Sequence, residues 1–150
     1  MNSIEFFVPG IAKPTQRGRT FFNKRMGKVQ TLTDPKGRVT KWRERIYLEA
    51  QRHAPPAPWE GPVSFTAIFV FARPDGHYTV KGELSAEGRR RKKPLGGVGD
   101  WDNLGKACAD ALEGLIYRND SQLAPAMVDK VYAGRGEPEG VYVTVRSDDS

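Results

Sequence analysis

Leu104, Ala107, Cys108, Ala111, Leu112 and Leu115 recur at i, i+3, i+4, i+7, i+8 and i+11. Apolar residues at that spacing, without a miss, make one stripe along an α-helix, and the stripe needs an apolar surface to cover it. The chain has 150 residues in which to supply that surface. This length predicts a single domain over 1–150, with one core behind a modest sheet.

A second helix follows from Val39, Trp42, Ile46 and Ala50, which place an amphipathic segment at about 36–53 with Lys41, Arg45 and Arg52 facing out. Asp34 reads as its N-cap and Pro35 as its first helical residue, and Trp42 is expected in the core. The remaining apolar runs are strand-like. Ile4 to Val8 ends at Pro9-Gly10, and residues 20–22 and 29–32 flank a turn at 24–27, a hairpin pattern. Pro62 to Phe71 becomes apolar on both faces, as a strand near the centre of a sheet does. Met127 to Ala133 and Gly140 to Val145 are separated by a Gly-rich connection and read as a second hairpin. The fold class expected is α+β, a mixed β-sheet with two main helices packed against it.

From Arg73 to Gly99 the apolar periodicity disappears while Gly and charge accumulate, so residues 73–99 are expected to form a mobile basic loop without structure of its own. This loop includes Arg89, Arg90, Arg91, Lys92 and Lys93. A second basic block runs from Lys13 to Arg45, with eleven Lys or Arg against Asp34 and Glu44, in a chain whose net charge is +6. Such density suits a polyanion partner, because each phosphate neutralised releases counterions. A solvated basic face accounts for the same composition.

Several classes are disfavoured. Cys108 is the single cysteine and His53 and His77 are the only histidines, so neither an intrachain disulfide nor a structural zinc site is expected. There is no basic n-region with an apolar stretch behind it, and no run near the roughly 18 apolar residues of a membrane helix, so a soluble cytoplasmic protein without membrane contact is expected. A P-loop and a dinucleotide fingerprint are both missing. The calcium-loop pattern that starts at Asp100, Asp102 and Gly105 fails at Leu104 and Ala111.

The chemistry concentrates at the start of the Leu104 helix. Asp102 and Lys106 are one turn apart, and if Asp100-Trp101-Asp102 is locally extended both carboxylates project to one side. Asp120 joins them if the strand after it runs back along the helix. Two carboxylates about 5 Å apart repel by roughly 3 kcal/mol at an effective dielectric of about 20, and a phosphodiester would be repelled too. Mg²⁺ reverses that balance, and Lys106 would add positive charge where a leaving oxygen develops its own. The same residues also fit a structural reading, with Asp102 as an N-cap, Asp102 and Lys106 as a helix ion pair, and Asp100 and Asp120 in turns. Spacing leaves both readings open, and with them a non-catalytic DNA- or RNA-binding protein.

Asp100, Asp102, Asn103, Leu104, Lys106, Asp110, Ala111, Leu112, Gly114, Asp120 and Gln122 together match the pattern D-x-D-N-L-x-K-x-x-x-D-A-L-x-G followed by D-[SA]-Q. In this the chain resembles the RusA family of Holliday junction resolvases, particularly its phage and prophage members. Phe6 to Gly10, Lys13 to Arg17, and Lys130-Val131-Tyr132 extend the resemblance over nearly the whole chain. It implies a RusA-like fold and a homodimeric, Mg²⁺-dependent endonuclease, with Mn²⁺ as a substitute ion, that resolves branched DNA at four-way junctions by paired symmetric nicks. A less selective nuclease of flaps or forks is the alternative within the same chemistry. Carried over by position, Asp100, Asp102 and Asp120 would bind metal, and Lys106 would be the essential lysine. Lys13, Arg17, Arg19, Arg89, Arg90, Arg91, Lys92 and Lys93 would contact DNA. Two positions depart from the pattern. Trp101 stands in place of a small aliphatic residue, so the local packing must differ, although an inward-facing position between two outward carboxylates would still be apolar. Asn119 replaces an additional Asp and leaves the third carboxylate to Asp120.

Overall fold

A computed structural model describes residues 2–15, 19–32, 34 and 36–148, with backbone only at 19–21 and 31–32. In chain order the elements are β1 (Asn2–Pro9), β2 (Arg19–Asn23), β3 (Lys28–Leu32), α1 (Arg38–Gln51), β4 (Val63–Phe71), α2 (Ala86–Arg90), α3 (Trp101–Leu112), β5 (Leu123–Tyr132) and β6 (Gly140–Ser147). Single 3-10 turns occupy Asp75–His77 and Asp120–Gln122. The α+β class is as expected, with α1 against β1 and α3, and α3 against β5.

The main sheet has the order β1-β6-β4-β5. β6 is antiparallel to both β1 and β4, whereas β4 and β5 are parallel, so the sheet is mixed. The hairpin expected between β5 and β6 does not form, because β4 lies between them. Val63, Phe65, Ala67, Phe69, Val70 and Phe71 of β4 are all buried, and a strand apolar on both faces gains most by having neighbours on both sides. β5 is left at the edge with residues 124–127 exposed, where Pro125 can lack an N–H without breaking a ladder. β2 and β3 pair as the expected hairpin in a sheet of their own.

Val39, Trp42, Ile46 and Ala50 are buried along α1, and the last three share one core with Leu104, Cys108 and Leu112 of α3. The start of α1 is later than expected. Gly37, with φ 66°, holds the N-cap position. Asp34 still satisfies the helix end from upstream, accepting bonds from the Val39 and Thr40 N–H groups at 3.0 and 2.9 Å and from the Thr40 hydroxyl at 2.7 Å. These bonds, the Thr40 hydroxyl foremost, hold its carboxyl below the ordinary range. Pro35 lies outside the described residues. At the other end, α3 stops at Leu112, before Leu115. Gly114 takes φ 81° and the chain turns, so Ile116 and Tyr117 become the buried residues there.

The segment 73–99 has structure of its own, contrary to expectation. Beyond its 3-10 turn and α2, Tyr78 and Leu84 form an isolated bridge. Arg73 organises the segment: it donates to the Gly88 and Arg91 carbonyls, both at 2.9 Å, and lies 4.5 Å over the Tyr132 ring. Gly88 packs so closely that a Cβ there would come 2.2 Å from the His77 carbonyl oxygen. A single half-buried polar anchor has no period, so the sequence pattern carries no signal of it.

Candidate active site

Asp100 occupies the N-cap position of α3 with an extended backbone (φ −76°, ψ 150°), and its side chain makes no capping bond. Trp101 is already helical, so Asp100-Trp101-Asp102 does not meet the condition, a locally extended triplet, that would project both carboxylates to one side. Asp102 lies in the first helical turn, whereas Asp100 precedes it. Trp101 does not face inward: it is 63% exposed.

Gly105 brings α3 close to β5. A Cβ at this position would lie 2.8 Å from Val128 Cγ2, tighter than packed carbon atoms allow. Further along, Lys130 Nζ donates to the Gly99 carbonyl at 3.1 Å. β5 therefore runs back along α3, as the sequence reading required for Asp120 to approach the helix.

Asp120 opens the 3-10 turn just before β5, and its neighbours lock that turn. Asn119 accepts from the Ser121 N–H at 2.9 Å, while the Gln122 side chain accepts from the Asn119 N–H at 2.8 Å, a capping box. Gln122 Nε2 also donates to the Trp59 and Gly61 carbonyls at 2.9 and 2.8 Å, tying the turn to the start of β4. Beneath it the buried Tyr117 hydroxyl donates to the Ala109 carbonyl at 2.6 Å. Asn119 is thus a capping residue.

Asp102, Lys106 and Asp120 line one cavity of about 310 Å³, together with Trp101, Phe65 and Ala126. Asp100, at the start of the helix, is not in its lining. It lies six residues before Lys106, which is about 9 Å along a helix axis. Among the described residues no three acidic, His or Cys side chains come close enough to hold a metal ion together. The carboxylates of Asp100, Asp102 and Asp120 make no hydrogen bond or ion pair among the described residues, and Lys106 pairs with Asp110 at 3.4 Å. A donor set of unpaired carboxylate oxygens fits a hard divalent cation, which takes one or two carboxylates and completes its shell with water and substrate oxygens.

The basic residues have varied surroundings. Lys13 lines a separate cavity of about 480 Å³ with Arg38 and Gly99. Close by, the Thr15 N–H donates to the Asn103 carbonyl at 3.0 Å, which stitches this stretch to α3. Arg17 lies outside the described residues, and Arg19 is described only as backbone. Arg89 donates to the Leu84 carbonyl, Arg90 and Arg91 both pair with Glu87, and Lys93 holds both carboxylate oxygens of Asp129 at 2.8 Å. Lys92 is exposed, with no partner among the described residues.

Three residues shape the site without having been singled out for it. Gly105 carried a legible signal, since glycine within a helix weakens it and marks a close approach. Asn119 and Gln122 have the N-cap and N3 chemistry of a capping box, hidden because the helix behind it is one turn long.

An α+β fold with carboxylates and a lysine over one cavity, beside basic segments, suits an enzyme that cuts nucleic acid. Residues 11–146 match the family described as Endodeoxyribonuclease RusA, and the chain belongs to that family. It is a nuclease. The uncharacterized protein YqaN of Bacillus subtilis (strain 168) is 33% identical over 137 residues, covering 89% of this chain and 90% of that protein.

Proposed function

We propose that this chain resolves four-way DNA junctions, hydrolysing phosphodiester bonds at the cavity shared by Asp102, Lys106 and Asp120. The observation that carries this reading is the meeting of charged side chains from two elements, α3 and the turn before β5, over one cavity. Their carboxylates have no protein partner among the described residues, so the structural roles open to them are largely unused.

Asp102 and Asp120, which line the cavity, would hold Mg²⁺ or Mn²⁺, and Asp100, which the family pattern also assigns to the metal, would have to turn towards it from the start of the helix. When bound, the ion lowers the pKa of a coordinated water and offsets negative charge on the phosphoryl oxygens. The chain's own residues position the DNA. Lys106, released from Asp110, places its ammonium near the leaving oxygen, where it stabilises developing charge. Lys13, Arg17, Arg19 and Arg89 to Lys93 track phosphates on the arms, once the local pairs of residues 90, 91 and 93 are exchanged for phosphate. A homodimer of one-domain subunits, with two equivalent sites, matches the two-fold character of a four-way junction and the paired nicks it needs.

Incubation of the purified chain with a synthetic four-way junction and Mg²⁺ tests the proposal, with products mapped on both strands. Paired nicks are expected, falling at least about 100-fold in Asp102→Asn, Asp120→Asn and Lys106→Ala, a loss of about 2.7 kcal/mol in transition-state stabilisation. Asp100→Asn is expected to lose activity as well. Nicking that survives Asp102→Asn and Lys106→Ala would move the chemistry elsewhere. Equal rates on forks, flaps and junctions would make the chain a general branch nuclease.

A further inference from the structure

The cavity beside the carboxylates has a second, apolar side that phosphodiester hydrolysis does not require. Phe65, Leu123, Ala126 and Val128 contribute to it from β4 and β5, and Trp101 stands at its margin. Trp42 is 3% exposed and Trp59 is packed on the core, but Trp101 leaves 63% of its surface open. An indole left in water immediately between Asp100 and Asp102 forgoes the burial that most tryptophans obtain. Its position makes it useful to a ligand with a flat π face whose charged group reaches the carboxylates and Lys106.

In the nuclease reading a nucleobase has that chemistry. Bases within a duplex are already stacked on their neighbours, so only an unpaired or unstacked base at a branch point is free to meet the indole. We propose that Trp101 stacks on a base next to the cut phosphate and thereby favours branched over linear DNA. This rests on the reading that cutting occurs at the Asp102, Lys106 and Asp120 cavity. Because Trp101 projects from the first turn of α3, a base stacked on it holds its own phosphate within reach of that turn. It is a specificity-determining residue rather than one that takes part in proton transfer or metal binding.

The test is a binding measurement in chelator, so no cleavage occurs. The full chain and its Trp101→Ala, Trp101→Leu and Trp101→Phe variants are titrated against a four-way junction and a linear duplex, each carrying 2-aminopurine at nucleotides matched to those flanking the branch. Wild type and Trp101→Phe are expected to quench 2-aminopurine at one flanking position of the junction. Trp101→Ala and Trp101→Leu should lose that quench and bind the junction about ten-fold more weakly, in the range of a lost aromatic stack, while duplex affinity changes less than about two-fold. Equal weakening on both DNAs, no weakening, or a quench that persists in Trp101→Ala would overturn the proposal. So would a shift of oligomeric state in sedimentation of Trp101→Ala with the quench intact, which would mean that protein covers the indole. A quench in wild type alongside nicking that survives Asp102→Asn would instead leave the stacking role standing and sink the catalytic assignment.

Discussion

Lys106 Nζ lies 3.4 Å from Asp110 Oδ1, one turn towards the end of α3, and makes no ion pair with Asp102, one turn towards its start. Helix propensity alone favours the opposite choice, because an acid four residues before a lysine is the better-oriented pair. Arg43 Nη1, reaching across from α1 to 3.9 Å from Asp110 Oδ2, shares the Asp110 carboxylate with Lys106. Asp102 keeps its carboxylate free on the cavity side. Asp110→Asn is therefore expected to leave stability within about 0.5 kcal/mol, since exposed ion pairs contribute little. Junction affinity should rise slightly as negative charge is removed beside the site. Denaturant midpoints and binding titrations check this; a ten-fold fall in nicking would show that Asp110 orients the lysine rather than sequestering it.

Gly105→Ala tests the close approach of α3 to β5. Alanine favours a helix over glycine by about 1 kcal/mol, yet the added methyl must displace Val128, and overpacking typically costs about 1–3 kcal/mol. Net destabilisation is expected, with loss of nicking as Asp102 and Lys106 are pushed away from Asp120. The double variant Gly105→Ala/Val128→Ala should recover part of both, giving a coupling energy above about 0.5 kcal/mol. Additive effects would mean that the two positions do not press on each other.

Cys108 is fully buried, and burial pushes its thiol up to about 12 from an ordinary 9.0. The folded state thus retains a proton that the unfolded chain releases. Its contribution to stability is complete below pH 9 and declines as pH rises from there towards 12. Cys108→Ala should show a shallower alkaline decline in urea midpoint. The thiol should also resist a water-soluble disulfide reagent near neutral pH until the chain is unfolded; rapid labelling of folded protein would contradict its burial.

The Lys93 to Asp129 pair holds the Asp129 carboxyl below the ordinary range, chiefly through the Lys93 hydrogen bond. For a carboxylate shifted downward, the pair is complete above the ordinary value and is lost only as pH falls through the lower one, so it is intact at neutral pH. Asp129→Asn is expected to free Lys93 at that pH. If Lys93 faces DNA, junction binding should tighten, and the slope of log K against log salt should steepen by about one phosphate contact. An unchanged slope would assign Lys93 to holding α2 and its flanking segment against β5.

The apolar stripe of α3, the amphipathic face of α1 and the double-sided apolarity of β4 are local and periodic. They could be read directly, together with the α+β class and the family pattern around Asp100 and Lys106. Strand order could not, because nothing within β5 or β6 says which strand lies beside it, and their partners were decided by which strand had two faces to bury. The same limit applied to Arg73, whose contacts lie far along the chain. At the site, the sequence by itself determined which charged residues are present and how far apart they lie along α3. The tertiary structure alone decided that Asp120 meets Asp102 and Lys106 while Asp100 stays outside their cavity, and that Trp101 faces solvent. Those outcomes depend on Gly105 letting β5 lie against the helix and on Gln122 pinning the turn to β4, contacts between segments that no spacing within either segment encodes.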